Sequence, residues 1–142
     1  MCFALYSASR LVTRAYRDDL DDLGITYPQY VALIVLWERE RAGAPAPTVA
    51  DLGRRLHLDS GTLTPLLTRL EAAGLVRRRR CSVDDRVRRV ELTSAGRALE
   101  GPASTMPARL LCRRPQVDRS QLVALKRHLD AMLHAMLADA PE

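Results

Sequence analysis

Three cysteines are the residues of this chain that could do covalent chemistry: Cys2, Cys81 and Cys112. They are widely spaced, with no CxxC pair and no histidine at zinc-finger spacing, so neither a disulfide scaffold nor a zinc site is predicted. The three histidines are isolated from one another as well, and we predict no metal and no cofactor. Each cysteine is therefore either a reactive thiol or a buried, inert one.

Tyrosines gather near the first of these cysteines. All four tyrosines lie within the first 30 residues, and Cys2 lies at the start of a predicted helix. A thiol reacts as its thiolate, and both phenolic O–H donors and the positive end of a helix dipole favour that anion. These surroundings favour a reactive Cys2, although a cysteine considered alone is more often buried and inert.

A second chemistry, contact with a polyanion, is suggested by residues 58–74. Their periodicity predicts one amphipathic helix that Asp59 or Ser60 caps and Gly74 ends. Considered alone, the segment is equally well an ordinary surface helix or a helix that reads base edges. Its apolar stripe is Leu63, Leu66, Leu67 and Leu70, and its polar face is Ser60, Thr62, Thr64, Thr68 and Arg69.

The flanking segments favour DNA reading. A short helix over Val49 to Leu56, capped by Thr48, precedes the amphipathic helix and predicts a helix-turn-helix. A hairpin follows, with strands over residues 75–81 and 87–92, and it holds seven arginines. An arginine run is usually a solvated face, but at this place in the chain it is typical of a wing that lies along phosphates.

The remaining elements must position these residues. Helices are predicted over residues 1–22, over residues 28–37 after a cap at Thr26 or Tyr27, from Ser94 onward, and from Asp118 or Ser120. We expect the third of these to be interrupted at Gly101-Pro102 and again at Pro107, so that it is kinked or split before Cys112. The sequence thus predicts a mainly α fold with a small β-hairpin wing, a winged helix-turn-helix with N- and C-terminal dimerisation helices. We expect one domain over 1–142, with 1–24 and 94–142 mainly for dimerisation and 25–93 as core helix plus winged helix-turn-helix.

Composition sets wider bounds. The chain has 142 residues and a formal net charge of +5, which modestly favours a polyanionic partner. No run of about 20 apolar residues is present, so we expect no membrane partner. With no basic-then-apolar leader either, a cytoplasmic location is the default expectation.

The order of these elements resembles the MarR family of winged-helix regulators. The matching segments are residues 59–67, residues 69–76, Asp84-Asp85-Arg86 at the hairpin tip, and Leu92-Thr93-Ser94-Ala95-Gly96. Within that family, residues 2–7, Tyr16, residues 23–30 and residues 36–38 look like the organic-hydroperoxide-sensing OhrR branch.

The resemblance implies a homodimeric repressor that binds a near-palindromic operator in double-stranded DNA and releases it when an organic hydroperoxide oxidises a cysteine. By position, the redox sensor is Cys2, and tyrosines of the other subunit at Tyr16 and Tyr27, with Tyr6 nearby, hydrogen-bond its sulfur. In the two-cysteine subclass a second cysteine from the other subunit closes a disulfide with the sensor, and Cys112 is the candidate here. The apolar neighbours Phe3, Leu5 and Trp37 favour an organic oxidant.

We expect three kinds of DNA contact from a winged helix-turn-helix. The helix would meet the major groove and the wing tip the minor groove, while the strands would meet phosphates. The major-groove residues are Ser60, Thr62, Thr64 and Arg69, the minor-groove residue is Arg86, and the phosphate contacts are Arg78, Arg79, Arg80 and Arg88.

Two other functions stay open. The first is a MarR-type repressor that a small aromatic ligand, rather than thiol oxidation, releases from DNA. The second is a thiol peroxidase, against which the arginine-rich hairpin and the lack of a thioredoxin-like βαβ pattern argue. We therefore expect that the chain is not an enzyme.

Overall fold

Eight helices and one two-stranded antiparallel sheet make up the part of the chain that the computed structural model describes, which is residues 1–80, 87–114 and 117–138. The predicted mainly α fold with a β-hairpin is confirmed. The chain divides into two compact units, Met1–Met106 and Pro107–Glu142. The elements are α1 (Cys2–Ala15), α2 (Arg17–Asp22), α3 (Tyr27–Arg41), α4 (Val49–Leu56), α5 (Ser60–Ala72), β1 (Val76–Arg80), β2 (Arg88–Leu92), α6 (Ser94–Ala98), α7 (Glu100–Cys112) and α8 (Arg119–Ala138).

Helix α3 lies at the centre of the first unit, as its nearly continuous apolar sequence predicts. Thr26 is its N-cap, and the Thr26 backbone N–H donates to Gln29 Oε1 at 2.7 Å. Pro28 occupies the first turn, where a helix has no use for the missing N–H. Seven of the 15 residues of α3 are buried, and they pack with the apolar stripe of α5 and the inner face of the hairpin.

Both helices of the helix-turn-helix begin with a side-chain N-cap, and the turn between them is short. Thr48 Oγ1 accepts from the Asp51 backbone N–H at 3.0 Å, and Asp59 Oδ1 accepts from the Thr62 backbone N–H at 2.8 Å. His57 ends α4 in the left-handed region, with φ 54°. A Cβ at Gly53 would lie 3.1 Å from the Leu58 carbonyl oxygen, which is a close approach of α4 to the turn. The predicted helix-turn-helix and its caps are confirmed.

The hairpin is joined through β2 to the segment that precedes α4. Its register pairs Val76 with Leu92 and Arg80 with Arg88. The Val90 backbone N–H donates to the Pro47 carbonyl at 2.9 Å, and Thr48 forms a bridge with Arg89, so the segment before α4 extends the sheet at one edge. The wing therefore has its base fixed to the start of the helix-turn-helix.

Helix α6 is seated against the end of α5. Thr93 caps α6 through the Gly96 backbone N–H at 3.0 Å, and its hydroxyl lies 2.6 Å from the Gly74 carbonyl oxygen. The Thr93 backbone N–H donates to the Leu75 carbonyl at 3.0 Å. Trp37 Nε1 donates to the Gly96 carbonyl at 2.9 Å in the buried interior. Thr93 and Gly96 thus connect the wing, α3 and the end of α5.

Two predicted boundaries are wrong. The expected single helix over residues 1–22 is divided at Tyr16 into α1 and α2, where the Tyr16 ring turns toward Tyr27 and Tyr30. The expected split at Gly101-Pro102 falls instead at Leu99. Pro102 lies in the first turn of α7, where it disrupts no helical hydrogen bond, and Pro107 removes one backbone hydrogen bond without ending α7.

The two terminal helices expose their apolar residues. Neither α1 nor α8 contains a buried residue. Leu11 of α1 is 66% exposed, and Leu125 of α8 is 51% exposed. Their dimerisation role stays a prediction. Among the described helices, even the 20-residue α8 lacks the continuous apolar length that a bilayer crossing needs.

Candidate DNA-binding surface and thiol site

Helix α5 presents its polar face to solvent. The four leucines of its stripe are buried, and the four residues predicted for the major groove are all exposed. At 100° per residue, the centre of the exposed face is occupied by Gly61, Pro65 and Thr68. These three small residues let the helix axis approach a groove closely, and helical periodicity could have identified them.

Like charges face each other across the outer half of the wing. Arg79 pairs with Arg89 and Arg80 with Arg88 in successive register positions. Like charges directly opposite each other destabilise a hairpin. A surface of this kind becomes favourable when a polyanion neutralises it.

The wing arginines have different surroundings. Arg77 donates to Glu91 Oε2 at 2.8 Å, and Arg89 donates to the Ala46 carbonyl at 2.6 Å. Arg78 is bound to Glu71 of α5. Arg80 and Arg88, at the outer ends of the strands, are exposed. The sequence pattern could not separate these roles, because the arginines are adjacent and identical.

One wing residue and one cysteine cannot be placed. Arg86, predicted for the minor groove, and Cys81 lie outside the described residues. The minor-groove contact of Arg86 stays a prediction, and no role is assigned to Cys81.

Cys2 is exposed and is the first residue of α1. Tyr6 is one turn further along the same helix face and is 65% exposed. Phe3 and Leu5 flank the cysteine and are exposed too. Trp37 is 3% exposed and hydrogen-bonded to Gly96, so it serves the core of the fold instead of the surroundings of Cys2.

Three tyrosines form a cluster at the opposite end of α1. The Tyr16 ring centroid is 5.8 Å from that of Tyr27 and 6.0 Å from that of Tyr30, and the Tyr27 and Tyr30 centroids are 6.2 Å apart. The resemblance named Tyr16, Tyr27 and Tyr6 for the thiol site but not Tyr30. Its spacing of three residues from Tyr27 on one helix was the signal that could have included it.

Full or partial burial raises the pKa of each phenol in this cluster. Desolvation, followed by the nearby Tyr30, Tyr27 and Asp19, raises the pKa of Tyr16 to about 12. Burial also raises the pKa of Tyr27 and that of Tyr30 above the usual value. At neutral pH each phenol carries its proton, as an ordinary tyrosine does, and can donate a hydrogen bond.

The length of α1 separates Cys2 from the tyrosine cluster within one chain. Cys2 and Tyr16 are 14 positions apart along a continuous helix, which corresponds to about 20 Å at the helical rise. A phenolic O–H of the cluster cannot reach the sulfur of its own chain across that distance.

Cys112 is the last residue of α7 and is exposed. Among residues 1–80, 87–114 and 117–138, no disulfide includes Cys2 or Cys112. The same residues contain no group of three or more His, Cys, Asp or Glu side chains arranged to hold a metal ion.

Known proteins resemble this chain along most of its length. The model of the MarR family matches residues 25–87. The chain is 46% identical to the organic hydroperoxide resistance transcriptional regulator of Bacillus subtilis over 111 residues, which are 78% of this chain and 72% of that protein.

Solved structures agree with these sequence matches. The fold is similar to that of reduced AbfR bound to DNA, with a TM-score of 0.75 and 32% identity, covering 96% of this chain and 91% of that one; AbfR comes from Staphylococcus epidermidis. A disulfide-formed AbfR is similar with a TM-score of 0.66 and 32% identity, covering 96% and 87% of the two chains. Because of its winged helix-turn-helix fold and its similarity to these relatives, we conclude that the chain belongs to the MarR family and is a DNA-binding transcriptional regulator.

Proposed function

We propose that this regulator is a homodimeric repressor that releases its operator when an organic hydroperoxide oxidises Cys2. One observation carries the proposal. An exposed thiol begins α1, and a cluster of phenols, with Tyr30 buried and Tyr16 and Tyr27 partly buried, lies at the other end of the same helix, beyond reach in one chain. A second copy whose α1 runs antiparallel would bring each thiol to the phenols of the other subunit.

The terminal helices support the second copy. Both α1 and α8 lack buried residues and expose apolar side chains, and such faces are covered in stable proteins. A two-fold dimer would also place two copies of α5 on successive major grooves of a near-palindromic operator.

The chemistry balances with the thiol and the peroxide alone. The Cys2 thiolate attacks the outer oxygen of the hydroperoxide, the O–O bond breaks, and the products are a sulfenic acid and the alcohol. A thiol then displaces the sulfenic oxygen as water and closes a disulfide. We assign that second thiol to Cys112 of the other subunit, in keeping with the disulfide-formed AbfR among the relatives.

The same phenols account for the switch. They donate hydrogen bonds to a thiolate, which accepts them, and they lose that acceptor when the sulfur becomes part of a disulfide. The Tyr30 ring centroid lies 6.4 Å from that of Trp37. The Trp37 indole N–H donates to the carbonyl of Gly96, which follows the wing in the chain. A change at the phenols thereby has a packed route to the DNA-binding elements.

On the DNA side, we propose that Ser60, Thr62, Thr64 and Arg69 meet base edges in the major groove. Arg86 would enter the minor groove, and Arg79, Arg80 and Arg88 would contact phosphates. The support is the exposure of the described residues among these and the Arg–Arg pairs of the wing.

The test is DNA release under oxidation. The operator is the duplex that the wild-type protein selects from a random-sequence pool. Reduced wild type and Cys2→Ser should bind it equally, and cumene hydroperoxide should release only the wild type. Cys112→Ser is the matched control, since it keeps the sensor but should form no reducible dimer on a gel.

Two outcomes would overturn parts of the proposal. If Cys2→Ser still leaves the DNA after peroxide treatment, Cys2 is not the sensor. If peroxide has no effect on wild type but a small aromatic ligand releases it, the alternative ligand-released repressor is the correct reading.

A mixed dimer tests the action of the phenols across the interface. Neither Cys2→Ser nor the double variant Tyr16→Phe/Tyr27→Phe should respond normally as a homodimer. Their heterodimer contains one intact thiol facing the intact phenols of the other subunit, so it should respond. No recovery in the heterodimer would mean that the phenols act within one chain or not at all.

A further inference from the structure

The junction between α5 and β1 holds a fork of hydrogen bonds from one arginine to one carboxylate. Arg78 Nε and Nη2 lie 2.9 and 2.7 Å from Glu71 Oε2, and the Arg78 backbone N–H donates to Glu71 Oε1 at 2.8 Å. Arg78 Nη2 also lies 3.4 Å from Thr68 Oγ1. Three donors of one residue thus bind the exposed side of α5.

Arg78 differs from the outer arginines because its side chain is paired with a carboxylate and is less exposed. Its side chain is 26% exposed and that of Glu71 is 36% exposed, whereas Arg80, two residues further out on the same strand face, is exposed. The backbone and side chain of Arg78 hold the pKa of Glu71 below its usual value, so the carboxylate stays ionised at neutral pH. A guanidinium that a carboxylate neutralises has less charge to offer a phosphate.

Glu71 is a negatively charged residue on a surface that is proposed to bind the negatively charged DNA. Arg88 also lies close enough to lower the pKa of Glu71, so the carboxylate stands among the groups proposed to meet phosphates. A negative charge there opposes DNA binding through long-range repulsion. Any favourable contribution of Glu71 to DNA binding must therefore come from the position in which it holds Arg78.

We propose that Glu71 and Arg78 are positioning residues that set the angle between the reading helix α5 and the wing, and that Arg78 does this instead of contacting a phosphate. Glu71 is in the last turn of α5 and Arg78 is the third residue of β1. The pair therefore bridges the two elements that must reach the major groove and the backbone at the same time. This rests on the DNA-binding part of the proposed function and not on the thiol switch.

The charge of Glu71 and its proposed positioning role predict opposite changes in DNA affinity for Glu71→Gln. The variant removes one negative charge beside the DNA, so charge alone would tighten binding. Positioning requires weaker binding, by about three- to fivefold at matched salt, the range of a well-formed surface pair. The plot of log affinity against log salt should also become shallower, because a displaced wing releases fewer counterions.

A charge-conserving pair of variants separates positioning from phosphate contact. Arg78→Lys keeps the charge but loses the planar fork that matches a carboxylate, and it should weaken binding as Glu71→Gln does. A lysine at position 78 could still bind a phosphate, so weaker binding indicates lost positioning. Arg54→Lys is the matched control, because it makes the same change in a guanidinium that pairs with Asp51 inside α4 alone, and it should keep wild-type affinity. The double variant Glu71→Gln/Arg78→Lys should be no weaker than either single variant.

All measurements use the reduced full-length protein and the selected operator duplex, with thermal melting as the check on folding. Unchanged melting with weaker binding is the result expected of a positioning pair. Tighter binding by Glu71→Gln, or wild-type affinity of Arg78→Lys, would overturn the proposal. Failure of the thiol switch would leave these results unaffected, and the affinity of the reduced wild type shows separately whether the DNA-binding premise holds.

Discussion

Gly96→Ala should destabilise the protein strongly, because of one backbone contact. An ideal Cβ at Gly96 would lie 2.1 Å from the Leu75 carbonyl oxygen. The ordinary closest approach of carbon and oxygen is about 3.3 Å, so either Leu75 or α6 would have to move by about 1 Å. That carbonyl also accepts from the backbone N–H and from the hydroxyl of Thr93, at 3.0 and 3.1 Å.

The expected cost follows from these contacts. Overpacking in a tight site costs about 1–3 kcal/mol, and each hydrogen bond lost at Leu75 adds about 1 kcal/mol. We therefore expect a loss of about 3–5 kcal/mol in the free energy of unfolding. For a chain of this size, that lowers the melting temperature by about 10 °C or more.

Two other glycines provide matched controls for thermal melting followed by circular dichroism. Gly101 has no heavy atom within 4 Å of its built Cβ and lies in α7, so Gly101→Ala should be neutral or slightly stabilising. Gly74 is equally open but has φ +70°, so Gly74→Ala should cost about 1–2 kcal/mol. If the melting temperature of Gly96→Ala equals that of wild type, or is no lower than that of Gly74→Ala, the described packing of α6 against the Leu75 carbonyl is incorrect.

Two further predictions concern the wing tip and the tyrosine cluster. Arg86→Ala should weaken operator binding by about 1–3 kcal/mol at matched salt; unchanged affinity in an anisotropy titration would remove Arg86 from the interface. Phenolate absorbance should show Tyr16 ionising near pH 12, because desolvation raises its pKa from the ordinary 10.0 to about 12. The neutral phenol is the form that the fold favours, so the stabilisation is present below pH 10 and is lost as pH rises from about 10 to 12. A midpoint near 10 for Tyr16, found by comparison with Tyr16→Phe, would contradict its described burial.

Local signals in the sequence were sufficient for most of the helices. The caps at Thr26, Thr48, Asp59 and Thr93 are each a hydroxyl or carboxylate directly before an apolar period, and the structure has them as N-caps. The stripe of α5 is buried because its leucines recur at helical spacing. These features depend only on neighbours along the chain.

Features that depend on distant contacts could not be predicted in the same way. Arg89 binds the carbonyl of Ala46, 43 residues away, and nothing in the arginine run distinguishes it from Arg80. The split expected at Gly101-Pro102 was wrong because proline is harmless in a first turn, and where that turn begins depends on how α6 packs on Leu75. The place of Tyr30 beside Tyr16 likewise depends on how α1, α2 and α3 meet.

The most direct test of the thiol switch follows Cys2 oxidation and DNA release in the same sample. Reduced wild-type protein on a fluorescent operator duplex would be treated with increasing amounts of cumene hydroperoxide, from a fraction of one equivalent per Cys2 up to full oxidation. Anisotropy would report the bound DNA, and mass spectrometry the oxidation state of Cys2. DNA release should rise in proportion to the oxidised fraction of Cys2. Complete oxidation of Cys2 with the DNA still bound, or release while Cys2 stays reduced, would contradict it.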